Sequence, residues 1–488
     1  MTNRSESETA PAVVTPQPFW VAGERRTGAV TAEVRSPYDG RVVATVSQPD
    51  STAVDEAVQA AADTFPVLAR TPAHVRADAL AYVARRLIED LDRFAEAIVA
   101  ESGKPIRLAR METVRAAANF RTASEEARRI EGTFGALDGD PIGSGRLGAV
   151  RRFPVGPVLG ITPFNFPLNL VTHKLAPALA VGAPLVLKPA PQTPVTALLL
   201  AELVAETELP GGALSVLPIP NGPELDALVR DPRLPIVSFT GSEVGWDIKA
   251  ALPRKQVLLE LGGNAAAVVH ADAPDLDHAA QSIALGSFAQ AGQTCISTQR
   301  VLVHSAVAED FTNRLLEATA SLGTGDPLDE ATVVGPLVSE AAAERVALWV
   351  DEAVSAGAQQ LCGGVREGNN YAPTLLTEVT DDMRVWREEI FGPVATIAPY
   401  DELDDALASV NASRFGLQAG IFTADLQVAL RAHRELEVGT VIVGDSPSYR
   451  ADPLMPYGGW KDSGSGREGV RAAMQELTAV RSLVIPSD

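Results

Sequence analysis

Cys295 stands in a run of small and amide-bearing residues, Ser287–Arg300, just after an apolar segment. Gly292, Gln293 and Thr294 bring backbone N–H groups and polar side chains close to its sulfur. Low-dielectric surroundings raise the pKa of a thiol, whereas hydrogen-bond donors and dipoles lower it, so a reactive thiolate needs a setting of this kind. Taken alone, the segment favours a packed, inert thiol. Other segments reverse that choice.

Four separated segments supply groups that chemistry at a thiol requires. Asn165 lies in a turn held by two prolines, and Lys188 ends a buried strand, at the edge where open α/β sheets bind ligands. Glu260 interrupts an apolar strand before a Gly-Gly turn, and Glu388-Glu389 leads into a tight turn. Each also fits an ordinary structural role, as a turn amide, a strand-end charge, a carboxylate bonded to backbone or a helix-end charge. Together, a thiol, an amide donor, a lone carboxylate and a lysine favour thioester chemistry.

Short strands and amphipathic helices are predicted to position these groups. The chain opens with β-type runs and turns over 19–46, followed by three helices at 54–65, 72–100 and 106–130. Pro66 is expected to stop the first helix, and the Arg- and Glu-rich third helix is expected to be mostly solvated. Strands then alternate with helices, which predicts an α/β fold with a doubly wound parallel sheet. The strands are predicted at 158–161, 184–187, 214–217, 236–239 and 256–261, and the helices between them at 193–206 and 223–229.

A second series of strands and helices over 265–440 places a domain change near Gly262-Gly263. The Gly-rich, β-type stretch that begins at residue 131 is expected to be an extended excursion, and a final β-type run covers 478–485. Residues 1–16 are rich in Ser, Thr, Glu and Pro, and we expect them to be disordered.

Bulk composition excludes several classes of protein. A chain of 488 residues implies two or three domains, and its net charge of −21 argues against nucleic-acid or anionic-membrane partners. Two cysteines cannot form a disulfide framework, which favours a reducing cytoplasm, and Cys362 reads as structural. Neither a signal peptide nor a transmembrane helix is predicted, and the histidines lack ligand spacing, so no metal site is expected.

Seven segments resemble the NAD(P)-dependent aldehyde dehydrogenase superfamily from about Phe19 onward: ITPFNFP, LVLKPAPQTP, FTGS, LELGGN, GQTCIS, EEIFGPV and MPYGGWKDSGSGRE. The resemblance implies a Rossmann-type cofactor-binding domain over 17–130 and 152–262 and an α/β catalytic domain over 263–461. It also implies a β oligomerisation arm over 131–151 and 478–488. The expected protein is therefore a cytoplasmic homodimer or homotetramer that oxidises a small aldehyde with NAD or NADP.

Carried over residue by residue, the resemblance implies that Cys295 attacks the aldehyde carbon to form a thiohemiacetal. The Asn165 side chain and the Cys295 backbone N–H then hold the oxyanion, hydride passes to the nicotinamide, and Glu260 activates water to hydrolyse the thioester. These roles agree with the residues, because an oxyanion needs donors fixed in advance and a carboxylate in an apolar strand has a raised pKa. Contacts with the cofactor are implied for Lys188, Glu389, Phe391, Ser242, Gly241, Thr162, Pro163 and Phe164.

Three departures from the family pattern bear on the cofactor and the site. Pro191 stands where strictly NAD-dependent relatives commonly have a glutamate on both ribose hydroxyls, so we expect NADP to be accepted. The turn Phe239–Gly245 is one residue shorter than usual, which predicts a tighter pyrophosphate loop and leaves Glu243 without an assigned role. Gly444 replaces an expected asparagine, so one support of the active site is expected to be missing.

The resemblance places His173, Thr294, Ile296, Arg450 and Tyr457 at the substrate entrance. The PSYR and MPYGG segments resemble the lactaldehyde and phosphonoacetaldehyde branch, but Thr294 stands where phosphonate-binding relatives have arginine. Semialdehyde dehydrogenases often have an arginine at the His173 position, where histidine is either a weaker, pH-dependent partner for an anion or a hydrogen-bonded helix residue. A small hydroxylated or weakly anionic aldehyde is therefore expected.

Two alternatives remain open. A CoA-acylating semialdehyde dehydrogenase would release the thioester to CoA, but such relatives generally lack the water-activating glutamate, for which Glu260 is the candidate here. A non-catalytic binding protein on the same fold is disfavoured by the joint presence of Asn165, Glu260 and Cys295.

Overall fold

The structure is a computed structural model that describes residues 16–450 and 452–487. Of residues 1–16, for which disorder was predicted, residues 1–15 lie outside the described ranges. Within those ranges, no helix combines the length and the apolar character of a bilayer span.

An eight-stranded sheet forms the core of the first half of the chain. Its five central strands are parallel, and the strands at both edges pair antiparallel. Helices cover both faces, so the central strands are apolar and buried almost throughout, as expected for a parallel sheet. In spatial order the strands are Glu24–Arg26, Phe19–Val21, Leu214–Val216, Leu185–Lys188, Val158–Ile161, Ile236–Thr240, Gln256–Glu260 and Gly464–Ser465. The helices associated with this half are Ser51–Leu68, Ala73–Glu89, Leu91–Ser102, Ile106–Ala127, Asn169–Val181, Val195–Ala205, Pro223–Arg230, Val244–Ala251 and Val470–Glu476.

A seven-stranded sheet organises the second half, and all its strands are parallel except one at the edge. In spatial order they are Gln359–Cys362, Thr374–Thr377, Val394–Tyr400, Thr298–His304, Ala265–Val269, Gln418–Phe422 and Thr440–Val443. The helices of this half are Leu276–Phe288, Ala308–Ala320, Glu340–Ser355, Arg384–Arg387, Leu403–Asn411 and Leu426–Glu435. The predicted α/β fold with parallel sheets is confirmed, and the five strands predicted before Gly262 are all present with ends that differ by no more than one residue.

A three-stranded antiparallel sheet projects from these two halves as an arm. The C-terminal strand Thr478–Pro486 pairs along its whole length with Arg146–Pro154, which in turn pairs with Thr133–Ala136. Four further two-stranded ribbons complete the β-structure of the described residues: Val30–Arg35 with Val42–Gln48, Gly323–Thr324 with Thr332–Val334, Arg366–Glu367 with Asn370–Tyr371, and Phe415–Gly416 with Trp460–Lys461.

Three helix predictions were wrong in detail. The first helix continues through Pro66 to Leu68, because a proline in the last turn removes only one backbone hydrogen bond. The second predicted helix is two helices that meet at Asp90. The third, Ile106–Ala127, is largely buried rather than solvated, because its small residues pack between neighbouring helices.

Candidate functional site

A cavity of about 910 Å³ opens where the two halves of the chain meet. Its wall combines the loops after three parallel strands of the first sheet with segments 289–296, 389–391 and 445–450 of the second half. The carboxyl ends of parallel strands in an open α/β sheet are the usual place for a ligand crevice. Most residues predicted to form a site line this wall: Asn165, Glu260, Cys295, Pro163, Phe164, Gly241, Ser242, Glu389, Phe391, Thr294, Ile296, Arg450 and Tyr457.

A left-handed backbone turn presents Cys295 to the cavity. Gln290, Ala291 and Gly292 follow the helix Leu276–Phe288 with φ values of 55°, 55° and 66°. A side chain at Gly292 would place its Cβ 2.2 Å from the carbonyl oxygen of Gly392, so only glycine fits there. Left-handed conformations cost non-glycine residues about 1 kcal/mol each, and such strain clusters at functional sites.

The Cys295 thiol is held by a phenol. Its Sγ lies 3.3 Å from Tyr457 Oη. Burial raises the pKa of the Cys295 thiol to about 12, and the Tyr457 hydrogen bond and the Arg450 charge oppose this only in part. The thiol is therefore protonated at neutral pH in the free protein.

Asn165 contacts the cysteine loop directly. Its Nδ2 donates to the backbone carbonyl of Gln293 at 2.9 Å, and the backbone carbonyl of Asn165 accepts from Gln290 Nε2 at 2.6 Å. An amide nitrogen carries two hydrogens, so one N–H of Asn165 remains for a group in the cavity. The two hydrogen bonds tie the turn after Val158–Ile161 to the loop that carries the thiol.

Glu260 is a buried carboxylate with no hydrogen-bond partner for either oxygen among the described residues. Burial, and secondarily the nearby Glu468, raise the pKa of Glu260 well above its usual value. Glu468 is itself 3.3 Å from Lys174 Nζ, which donates to Ser238 Oγ and Thr240 Oγ1 at 3.0 and 2.7 Å. A carboxyl group with a raised pKa is suited to exchange protons near neutral pH.

Another part of the cavity wall carries groups that suit a dinucleotide. Glu389 Oε1 accepts from the Gly263 N–H at 2.9 Å, and burial raises the pKa of Glu389 to about 7. A Cβ at Gly262 would lie 2.4 Å from Glu389 Oε2, so glycine lets the chain pass this carboxylate. Phe391 meets Phe164 edge to face with ring centroids 5.9 Å apart. Carboxylate, glycine turn and aromatic pair fit a ribose and a nicotinamide ring.

Three predicted site residues lie outside the cavity wall. Thr162 and Lys188 are buried and do not line it, and Lys188 Nζ donates to Asn221 Oδ1 at 2.7 Å. Burial lowers the pKa of Lys188 to about 8.

His173, expected at the entrance, is instead packed behind Arg450, whose guanidinium nitrogens are 3.2 and 3.3 Å from its ring nitrogens. Asn169 Nδ2 is 3.1 Å from His173 Nε2, so the hydrogen-bonded helix histidine is the form observed. Burial and then the charges of Arg450, Arg115 and Lys174 lower its pKa well below the usual value, so His173 is neutral and cannot bind an anion as a cation.

The sequence reasoning missed three arginines on the wall. Arg107 and Arg115 lie on the helix Ile106–Ala127, and Arg345 lies on the part of the wall near Glu389. Within the described ranges Arg115 makes no hydrogen bond or salt bridge. Arg107, Met111 and Arg115 are spaced four residues apart, so they lie on one face of the helix. This spacing in the sequence could have indicated that both arginines face the same surface.

The chain is similar to known proteins over nearly its whole length. Residues 20–483 match the model of the aldehyde dehydrogenase family. The chain is 45% identical over 470 residues to a 3-sulfolactaldehyde dehydrogenase of Priestia aryabhattai, covering 96% of this chain and 97% of that protein. Aldehyde dehydrogenase 21 of Physcomitrella patens, solved with its reaction product succinate, superposes with a TM-score of 0.95 at 41% identity, covering 97% and 99% of the two chains. The NADP-dependent glyceraldehyde-3-phosphate dehydrogenase of Bacillus halodurans C-125, solved with NADP, gives a TM-score of 0.94 at 33% identity, covering 97% and 100%.

Proposed function

Because the chain belongs to the aldehyde dehydrogenase family and is an NAD(P)-dependent enzyme of that family, we propose that it oxidises a small anionic aldehyde to its carboxylic acid in this cavity. The observation that carries the proposal is the convergence of Cys295, Asn165 and Glu260 on one wall that also carries Arg115, which makes no hydrogen bond or salt bridge within the described ranges. Nucleophile, oxyanion donor and base are the three groups that oxidation through a thioester needs.

In the proposed mechanism the Cys295 thiol releases its proton to water, and the thiolate Sγ attacks the aldehyde carbon to form a thiohemiacetal, whose oxyanion is held by the second N–H of Asn165 and the Cys295 backbone N–H. The nicotinamide cofactor, when bound, supplies the hydride acceptor. Glu260 takes a proton from water, and the resulting hydroxide attacks the thioester carbon so that the C–S bond breaks and the acid leaves. Because burial raises the pKa of Glu260, this carboxylate holds a proton more strongly than an exposed glutamate does, as a base that takes a proton from water must.

The cofactor is proposed to lie along the cavity wall that begins at Pro163 and Phe164. Glu389 would hold the nicotinamide ribose and Phe391 would pack near its ring. Gly241 and Ser242, at the start of the helix Val244–Ala251, would meet the pyrophosphate through backbone N–H groups. Thr162 and Lys188 are proposed to support the adenosine end from behind the wall. We propose that residues 17–130 and 152–262 form the cofactor-binding domain and that residues 263–461 form the catalytic domain.

The anionic group of the substrate is proposed to bind Arg115 and Arg450. Both residues line the wall, and in the part of the chain that the structure describes Arg115 makes no hydrogen bond or salt bridge. The relative that is 45% identical is named for 3-sulfolactaldehyde, and the plant relative was solved with succinate, a dicarboxylate. A three- or four-carbon aldehyde with a terminal sulfonate or carboxylate, such as 3-sulfolactaldehyde, is the proposed substrate class.

Replacing Arg115 by methionine, which keeps the length of the side chain, is expected to raise KM for anionic aldehydes. A charge-assisted hydrogen bond contributes about 1.5–3 kcal/mol, so the increase should be roughly 10- to 100-fold. Steady-state kinetics with 3-sulfolactaldehyde, succinate semialdehyde and uncharged propanal measure the effect, and KM for propanal should hardly change. Arg121→Met, exposed on the same helix and away from the wall, is the matched control. An equal loss for propanal would contradict anion binding by Arg115.

The purified enzyme is expected to accept NADP, because Pro191 leaves no carboxylate to repel a 2′-phosphate. Pro191→Glu should lower kcat/KM for NADP by roughly tenfold, the effect of about 1.4 kcal/mol of like-charge repulsion, and change kcat/KM for NAD much less. Gln192→Glu adds the same charge to the next exposed residue and serves as the control. A strong preference of the wild-type enzyme for NAD would overturn this prediction.

The arm is proposed to be a contact between subunits in a homodimer or homotetramer. Phe134, Leu483 and Val484 are 69%, 58% and 52% exposed on its strands. Clustered exposed apolar side chains are typical of protein–protein contacts, and an antiparallel edge strand is a ready pairing surface.

A further inference from the structure

Tyr457 occupies a fixed position against the thiol. Its side chain is 7% exposed and packs with Ile296 and Leu417. Its backbone N–H donates to the Glu468 carbonyl at 2.9 Å, and the Glu468 N–H donates back at 2.7 Å. The 3.3 Å separation from Cys295 Sγ is therefore built into the packing of segment 457–468.

Arg450 lies over the face of the same phenol, with its guanidinium carbon 4.0 Å from the ring centroid. His173 meets that guanidinium from behind, and because its ring is neutral it orients the cation without cancelling its charge. A cation over an aromatic face stabilises electron density in the ring, and it favours donation from the phenol O–H to an anion.

The other charged groups around Cys295 act in the opposite direction. Glu389 and Glu260 both oppose a negative charge on the sulfur. Among the described residues, the Tyr457 hydroxyl is the hydrogen-bond partner of the sulfur, and Arg450 is the cation that favours the thiolate. These two residues therefore lower the pKa of the thiol against the effect of burial.

We propose that Tyr457 is a positioning residue of the nucleophile, whose hydroxyl donates to Cys295 Sγ as the thiolate forms and is held for this by Arg450. The proposal rests on the proposed function, in which Cys295 is the nucleophile. It adds that one arginine serves both the substrate anion and the thiol. Once Sγ is bonded to the substrate carbon the sulfur carries no charge, so the hydrogen bond favours the attacking state over the acylated one.

The test is alkylation of Cys295 by iodoacetamide in a Cys362→Ser background, followed by peptide mass spectrometry at several values between about pH 7 and pH 10. Tyr457→Phe removes only the hydroxyl. It should raise the thiol pKa by about one unit and slow alkylation about tenfold at each pH. Arg450→Met should slow it about threefold. Tyr371→Phe removes an equally buried phenol that is not on the cavity wall, and should leave the rate unchanged.

Kinetics separate this proposal from the assignment of the nucleophile. Tyr457→Phe is expected to lower kcat and leave KM for the cofactor unchanged, with the same melting temperature as Tyr371→Phe. Unchanged alkylation in both Tyr457→Phe and Arg450→Met would overturn the proposal. Turnover that survives Cys295→Ala would instead overturn the proposed function, whatever the alkylation rates are.

Discussion

Replacing Cys295 by alanine is expected to lower kcat/KM for aldehyde oxidation by at least about a thousandfold, because the covalent route to the thioester is lost. The methyl group of alanine fits the space of the thiol, so the cavity and the turn at Gln290 should remain intact. Initial rates of reduced-cofactor formation measure the loss, and binding of NADP, followed by fluorescence, should be unchanged. Retained turnover would remove Cys295 as the nucleophile.

Cys362 provides the matched control for that experiment. It ends the edge strand Gln359–Cys362, away from the cavity wall, and its Sγ is 3.7 Å from the Pro373 carbonyl oxygen. Its pKa is raised by burial, as expected for a thiol with a structural role. Cys362→Ala should keep activity within about twofold, because nothing connects it to the cavity.

Much of the fold and site could be predicted because both follow from local patterns. Runs of four to six apolar residues between turns predicted the strands of the first sheet, and in a parallel sheet their carboxyl ends must meet at one edge. Asn165, Thr240 and Glu260 follow three of those strands or end them, so their approach to one cavity follows from the order of the strands.

What the sequence did not predict depends on depth and on contacts between distant segments. His173 and Arg450 are 277 residues apart in the chain, and no local pattern indicates that the arginine would cover the histidine. The hydrogen bond between Cys295 and Tyr457 spans 162 residues, and the burial that raises the pKa of the thiol likewise depends on segments distant in the chain.

Two of the unusual turns acquire a structural reason. Gly444, which stands where an asparagine was expected, has φ +78°, a left-handed conformation that glycine adopts easily. Its carbonyl accepts a hydrogen bond from His278 Nε2 at 3.0 Å. Glu243, in the shortened turn, pairs with Arg414 at 3.3 Å, and Arg414 also pairs with Glu388 and Asp462. This turn is therefore tied to the second half of the chain by exposed charges.

Replacing Glu260 by glutamine is expected to separate the two halves of the reaction. Glutamine has the shape of glutamate but cannot take a proton, so thioester hydrolysis should slow by roughly 10²- to 10⁴-fold while the earlier steps continue. Rapid-mixing experiments should show a burst of reduced cofactor of about one equivalent per active site, followed by a slow steady state. Glu388→Gln, in the neighbouring surface pair with Arg414, should keep the full steady-state rate.

The pH dependence adds a second, independent measurement. Burial and Glu468 raise the pKa of Glu260, and the base acts only when it is deprotonated, so the wild-type hydrolysis rate should fall as pH is lowered through this raised pKa. The slow hydrolysis rate of Glu260→Gln should not show this decrease at low pH. Product analysis with and without CoA tests the CoA-acylating alternative. If water is the acceptor of the acyl group, the product is the free acid under both conditions. Formation of acyl-CoA, or a burst that is missing from Glu260→Gln, would mean that this carboxylate does not serve hydrolysis.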